Sequence, residues 1–152
     1  MKRLFFFFTL IFLLGIFFAW HSLSTKEFPL DVSEISGEIY YSNTSEDEII
    51  LENIHPGEII SSPLLLTGRA RGSWFFEASA PVVLTDWDGR IIAEGTIHTT
   101  EDWMTTEFVP FEGTLTFETP SYGDIGSLIL QNDNPSGLPA YDKAIEIPIR
   151  YR

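Results

Sequence analysis

Three features of the sequence predict an all-β domain: apolar residues that alternate one in two, turn residues at short intervals, and no convincing helical pattern beyond the first 23 residues. The alternation is clearest in FEGTLTFE, where Phe111, Leu115 and Phe117 share one face and Glu112, Thr114, Thr116 and Glu118 the other. Turn chemistry separates the apolar runs at HPGE, DWDG, PSYGD and NDNPSG, which supply the Gly, Pro, Asn and Asp that bends require. Seven to eight short strands with a one-faced core imply two antiparallel sheets packed face to face, an immunoglobulin-like β-sandwich over residues 49–152. The chain has no cysteine, so packing must hold the sandwich together, and disulfides, thiol catalysis and thiolate metal sites are excluded.

The elements follow in chain order. Residues 1–23 read as an N-terminal membrane anchor or signal segment. Met1, Lys2 and Arg3 precede LFFFFTLIFLLGIFFAW, residues 4–20, which carries no charge. As a helix those residues reach about 26 Å, and the uncharged stretch to Thr25 reaches about 33 Å, against a hydrocarbon core of about 30 Å. Trp20 falls at an interface. A cleaved signal peptide is the competing reading, but AWHSLS is bulky and offers only Ser22 and Ser24 at the small-x-small spacing. Lys2 and Arg3 keep the N-terminus in the cytoplasm and place the remainder outside the cell membrane; cleavage would make that remainder a secreted protein. Residues 24–48 mix Ser, Asp, Glu and Pro with scattered apolar residues and read as an acidic polar stalk, in which GEIYY offers a transient strand.

From Ile49 onward, strands are expected near residues 49–54, 58–61, 64–71, 79–86, 90–99, 108–118 and 126–132, with a last one carrying Ile145, Ile147, Ile149 and Tyr151 inward. Pro148 cannot donate to a ladder, so this last strand is expected at a sheet edge. The segment DWDG reads as the reversal between PVVLT and RIIAEG: Gly89 supplies a positive φ, and Asp86 or Asp88 accepts backbone N–H bonds. A calcium loop would need six or more oxygens, whereas the acidic pattern stops after two and isoleucines follow.

Charge narrows the partners. The residues beyond Lys26 hold all 22 acidic side chains and six of the nine basic ones, a net −16. Such a surface repels phosphate backbones and anionic headgroups, so no nucleic acid is expected as a partner and the membrane is met only through the N-terminal helix.

Catalytic and metal constellations are not found. His21, His55 and His98 share no ligand spacing, there is no Gly-x-Ser-x-Gly elbow or Ser-x-x-Lys motif, and TGRARGSW lacks the spacing of a phosphate loop. Asp86, Asp88, Glu101, Asp102 and Glu107 are the acids that a glycan hydrolase would draw on, but exposed turn acids make poor acid-base groups. No catalytic residue, metal ligand or cofactor is therefore assigned. Arg69 and Arg71 share one strand face, where they can pair with glutamates or with a partner. Trp74 and Phe75, being adjacent, cannot both face inward if a strand continues there. The exposed-anchor candidates are Trp87 and Trp103, with Met104 beside the latter; they are assigned as one binding surface, for another envelope protein or, alternatively, for cell-wall glycan.

The blocks SPLLLTGRARGSWFFEASAPVVLTDWDGRIIAEG, DWMTTEFVPFEGTLTF and GSLILQNDNPSGLPAYDKAIEIPIRY resemble the immunoglobulin-like domain family linked to bacterial spore germination, a domain also found beside the GerM domain. The resemblance covers residues 58–151 and is nearest to stand-alone, membrane-attached members. It implies a β-sandwich of the bacterial envelope with no established enzymatic activity or cofactor. It also implies structural roles for Glu77, as an acceptor at a sandwich corner or a salt-bridge partner of Arg69 or Arg71, and for the turn Asn134 to Gly137.

Overall fold

Alternation becomes structure most visibly in LLLTGRAR: Leu64, Leu66 and Ala70 are buried while Leu65 and Arg69 are exposed. Each such buried Leu or Ile contributes roughly 1.5–3 kcal/mol relative to exposure. The computed structural model describes residues 37–152, which lie in one compact unit. The expected anchor, and the expected stalk up to residue 36, fall outside the described residues. Among the described residues no helix is long and apolar enough to cross a membrane.

The strands are β1 (Tyr40–Ser42), β2 (Ile49–Leu51), β3 (Glu58–Ile60), β4 (Leu64–Arg71), β5 (Ser79–Asp86), β6 (Ile91–His98), β7 (Phe108–Leu115), β8 (Ile125–Gln131) and β9 (Ala144–Tyr151). Eight of them, β2 to β9, fall within residues 49–152, where seven to eight were expected, and β1 lies before that range. All nine form one mostly antiparallel sheet in the order β1-β9-β8-β5-β6-β7-β4-β2, with β3 also on β9. The two expected layers are therefore joined, because β6 and β7 share a ladder two positions long, Ile97 opposite Gly113 and His98 opposite Glu112. The sheet curls around a single core to which β2, β4 and β7 contribute Ile49, Leu66 and Phe111, and β5, β8 and β9 contribute Leu84, Leu128 and Ile147.

Two sequence expectations are corrected. β9 is not an edge strand: β8 pairs along one side of it, and β1 and the parallel β3 share the other. Pro148 is tolerated because it falls in the gap between β1 and β3, where its carbonyl accepts from the Gly57 N–H at 2.8 Å. The stretch 37–48, read as stalk, instead contributes β1, with Tyr40, Tyr41 and Ser42 opposite Glu146, Ile145 and Ala144. Lys143 Nζ fastens the same stretch by donating to both carboxylate oxygens of Glu48 at 2.7 and 2.8 Å.

Trp74 and Phe75 are both buried, at 1% and 3% exposure. Alternation does not apply to them, because Gly72–Trp74 form a 3-10 turn between β4 and β5. Phe75 packs against Phe111, with ring centroids 6.4 Å apart.

Candidate functional site

The DWDG reversal is built around one carboxylate. Asp86 Oδ1 accepts the N–H groups of Asp88 at 3.0 Å and Arg90 at 2.9 Å, and Oδ2 accepts the Tyr122 hydroxyl at 2.9 Å. Gly89 has φ 78° and donates its N–H to the Asp86 carbonyl. Burial opposes ionisation of Asp86, but the Arg90 N–H, the Tyr122 hydroxyl, the Asp88 N–H and the Arg90 charge outweigh it and hold the carboxyl below its ordinary range. A carboxylate so engaged serves the turn. The acid raises the Tyr122 pKa in turn.

Trp87 projects from this turn with 65% of its surface exposed. Its indole lies against Gly123, and Tyr122 and Ile91 are likewise exposed. The Arg90 guanidinium sits 5.5 Å from the Tyr122 ring centroid.

Trp103 and Met104 belong to the connection between β6 and β7, at the other end of β6. The length of an eight-residue strand, roughly 23 Å, therefore separates them from Trp87. Trp103 is half-buried and meets Phe76 edge-on, with centroids 6.1 Å apart. Met104 is 77% exposed, and its N–H donates to Asp102 Oδ1 at 3.0 Å. Beneath the connection lies Gly72, where a Cβ would collide with the carbonyl oxygens of Trp103 and Thr105. The sequence signal for this separation was present, since Trp87 and Trp103 flank the run read as strand 90–99.

The same end carries backbone strain. Phe76 and Ser79 exchange N–H to carbonyl bonds at 3.1 Å around Glu77 and Ala78, whose φ values are 50° and 61°. Two-residue hairpin loops favour such left-handed pairs, but Asn-Gly fills them far more easily than Glu-Ala. Sequence reading missed this loop because neither residue is a turn former. Arg69 pairs with Glu52 at 3.5 Å, while Arg71 donates to the carbonyls of Asp47 and Thr106, so neither arginine takes the partner suggested for it in Glu77. Phe108 lies beneath both guanidinium groups. The Asn134 turn is internally bonded: its carboxamide oxygen accepts from the Ser136 N–H and hydroxyl.

The acids weighed for catalysis do not converge. Asp86 stands at the Trp87 end, whereas Glu101, Asp102 and Glu107 lie in the β6–β7 connection. Among the described residues no three His, Asp or Glu side chains are grouped to hold a metal ion. His98 is exposed on β6 and bonds Thr96 Oγ1 at 2.6 Å, and His55 is exposed in a turn.

Neither a curated protein nor a solved structure matches the chain. A family model does: that of the immunoglobulin-like domain of bacterial spore germination matches residues 51–137, more than half of the chain. That span takes in β3 through β8 with both ends of the sandwich, and the chain belongs to this immunoglobulin-like domain family of bacterial spore germination.

Proposed function

We propose that the chain is a non-enzymatic binding or scaffolding module of the bacterial cell envelope, tethered by residues 4–23 and presenting a protein-contact surface at the Trp103 end. Its family membership supports a non-catalytic binding role. The observation that carries the choice of surface is the strained Glu77–Ala78 loop next to exposed Phe76, whose ring half-buried Trp103 meets edge-on, with exposed Met104 following Trp103 in the chain. Left-handed non-glycine residues persist where a fixed shape is needed, aromatic side chains provide large burial at little entropy cost, and Met adapts its shape to an irregular partner surface.

Pull-down from envelope extracts with wild type and Met104→Asp tests this reading. Met104 is so exposed that the variant keeps the fold, and loss of a partner by about tenfold or more is the expected result for an anchor. Equal recovery of every partner removes the surface. Cell-wall glycan is the second reading, favoured by the exposure of Trp87 at 65% and Tyr122 at 54% on the opposite end. Titration with peptidoglycan fragments, following tryptophan fluorescence in wild type and Trp87→Ala, separates the two.

A further inference from the structure

Strand β6 is left half-paired. Residues 91–96 pair only with β5, and the ladder to β7 covers Ile97 and His98 alone. Beyond the ladder an open cleft of about 590 Å³ lies between β6 and the chain that follows β7, lined by Ile91, Ile92 and residues 116–122. Residues 91–96 make no backbone hydrogen bond outside the strand ladders among the described residues. The outer backbone groups of residues 91–94 thus meet this partly apolar cleft or its open flank instead of a neighbouring strand, whereas Gly95 and Thr96 lie against Leu115 and Gly113 of β7.

We propose that this edge accepts an extended, basic segment of a partner protein as an added antiparallel or parallel strand on β6. A strand added there sits about 4.8 Å from β6, so its side chains alternate between the cleft and the outer face. Inward residues meet Ile91, Ile92, Phe117 and Pro120, which suit β-branched side chains. Acidic Glu94 and Glu118 are both exposed along the edge, and Asp88 is exposed in the adjoining turn. Arg90, in the adjoining turn, is drawn to the Tyr122 ring. Lysine or arginine at the outward positions satisfies these carboxylates. A second copy is opposed by charge, because the residues beyond Lys26 carry a net −16.

This surface lies at the Trp87 end, so it stands or falls separately from the Trp103 surface. The test uses the full chain and three synthetic eight-residue probes: alternating Lys and Val, alternating Glu and Val, and the Lys-Val peptide N-methylated at alternate residues. Amide hydrogen exchange with mass spectrometry is the readout. The Lys-Val probe is expected to slow exchange within residues 91–94 by about tenfold or more, and the other two to leave it unchanged. Glu94→Lys combined with Glu118→Lys is expected to weaken the Lys-Val probe about tenfold. Equal binding of the N-methylated peptide overturns the proposal, since charge and apolarity alone then suffice, and this arm decides even if the double variant does not fold. Protection of 91–94 without any peptide, in a dimer, assigns the edge to a second copy and overturns it too. Peptidoglycan fragments that quench Trp87 while no Lys-Val binding occurs assign this end to glycan.

Discussion

The Tyr122 hydroxyl donates to Asp86 Oδ2 at 2.9 Å, tying the loop before β8 to the turn between β5 and β6. The same carboxylate holds two backbone N–H groups through its other oxygen. Asp86→Ala strands both N–H groups at a site that is only 4% exposed, whereas Tyr122→Phe removes one bond from an exposed ring. Thermal melts are expected to show a fall of about 5 °C or more for Asp86→Ala and a smaller one for Tyr122→Phe. Equal melting temperatures for all three proteins reject Asp86 as the keystone of the turn.

Acid sensitivity follows from the same group. Asp86, Asp124 and Glu48 all have folded-state pKa values lowered from the ordinary carboxylate range. For Asp124 the main cause is its hydrogen bond from Arg150; for Glu48, burial is outweighed by Lys143 and Thr44 and by the Lys143 and Arg71 charges. A depressed carboxyl stabilises the fold fully above its unfolded pKa of about 4, and that contribution is lost as pH falls through the lower folded value. Denaturant titrations from pH 6 to pH 2 should show stability declining below about pH 4, less steeply in Asp86→Asn than in wild type. A steeper decline in Asp86→Asn contradicts the assignment.

Relief of backbone strain gives the opposite sign. Ala78 has φ 61° with a Cβ attached, so Ala78→Gly is expected to stabilise the fold by about 1 kcal/mol even after the added freedom of the unfolded chain. Urea unfolding measures it. A loss of stability shows that the loop is held without strain.

Gly72 is buried against the backbone of the Trp103 connection. Gly72→Ala drives a methyl group into the carbonyls of Trp103 and Thr105, and a cost of about 2 kcal/mol is expected together with a shift in the Trp103 environment. Unfolding curves with near-ultraviolet circular dichroism read both. An unchanged spectrum and stability would mean that the backbone adjusts freely here.

Residues 37–48 are held by charge as well as by β1. Glu48 and Lys143 are each about one-third exposed or less, so Lys143→Ala is expected to lower stability by about 1 kcal/mol, with the difference narrowing in high salt. Limited proteolysis near Tyr40–Ser42 should quicken in the variant. Unaltered cleavage leaves the anchoring role to the strand alone.

The strand pattern was legible because burial imposes it. Strands 64–71 and 79–86 carry alternating faces and flanking turns, and β4 and β5 occupy those residues. The strand read as 108–118 ends at Leu115, although Phe117 stays buried and packs edge-on against Tyr151 at 5.7 Å. Partner choice was not legible, because alternation marks a face and says nothing of which strand lies alongside. Hence Pro148 alone points to an edge for β9, and the acidic residues around Tyr40–Ser42 hide that strand in what reads as stalk. For the binding residues, exposure of Trp87 and Met104 followed from their turn and loop positions, while their grouping failed because β6 stands between them.

The pairing of β1 with β9 sets Tyr40 opposite Glu146, so the first strand waits for the last. A chain emerging from the ribosome can form the β5–β6 hairpin early, yet its closing ladder depends on residues made at the very end. Shortening the gene before codon 144 deprives β1, β3 and β8 of their shared neighbour at a stroke, and the nascent product is left with open borders that invite aggregation.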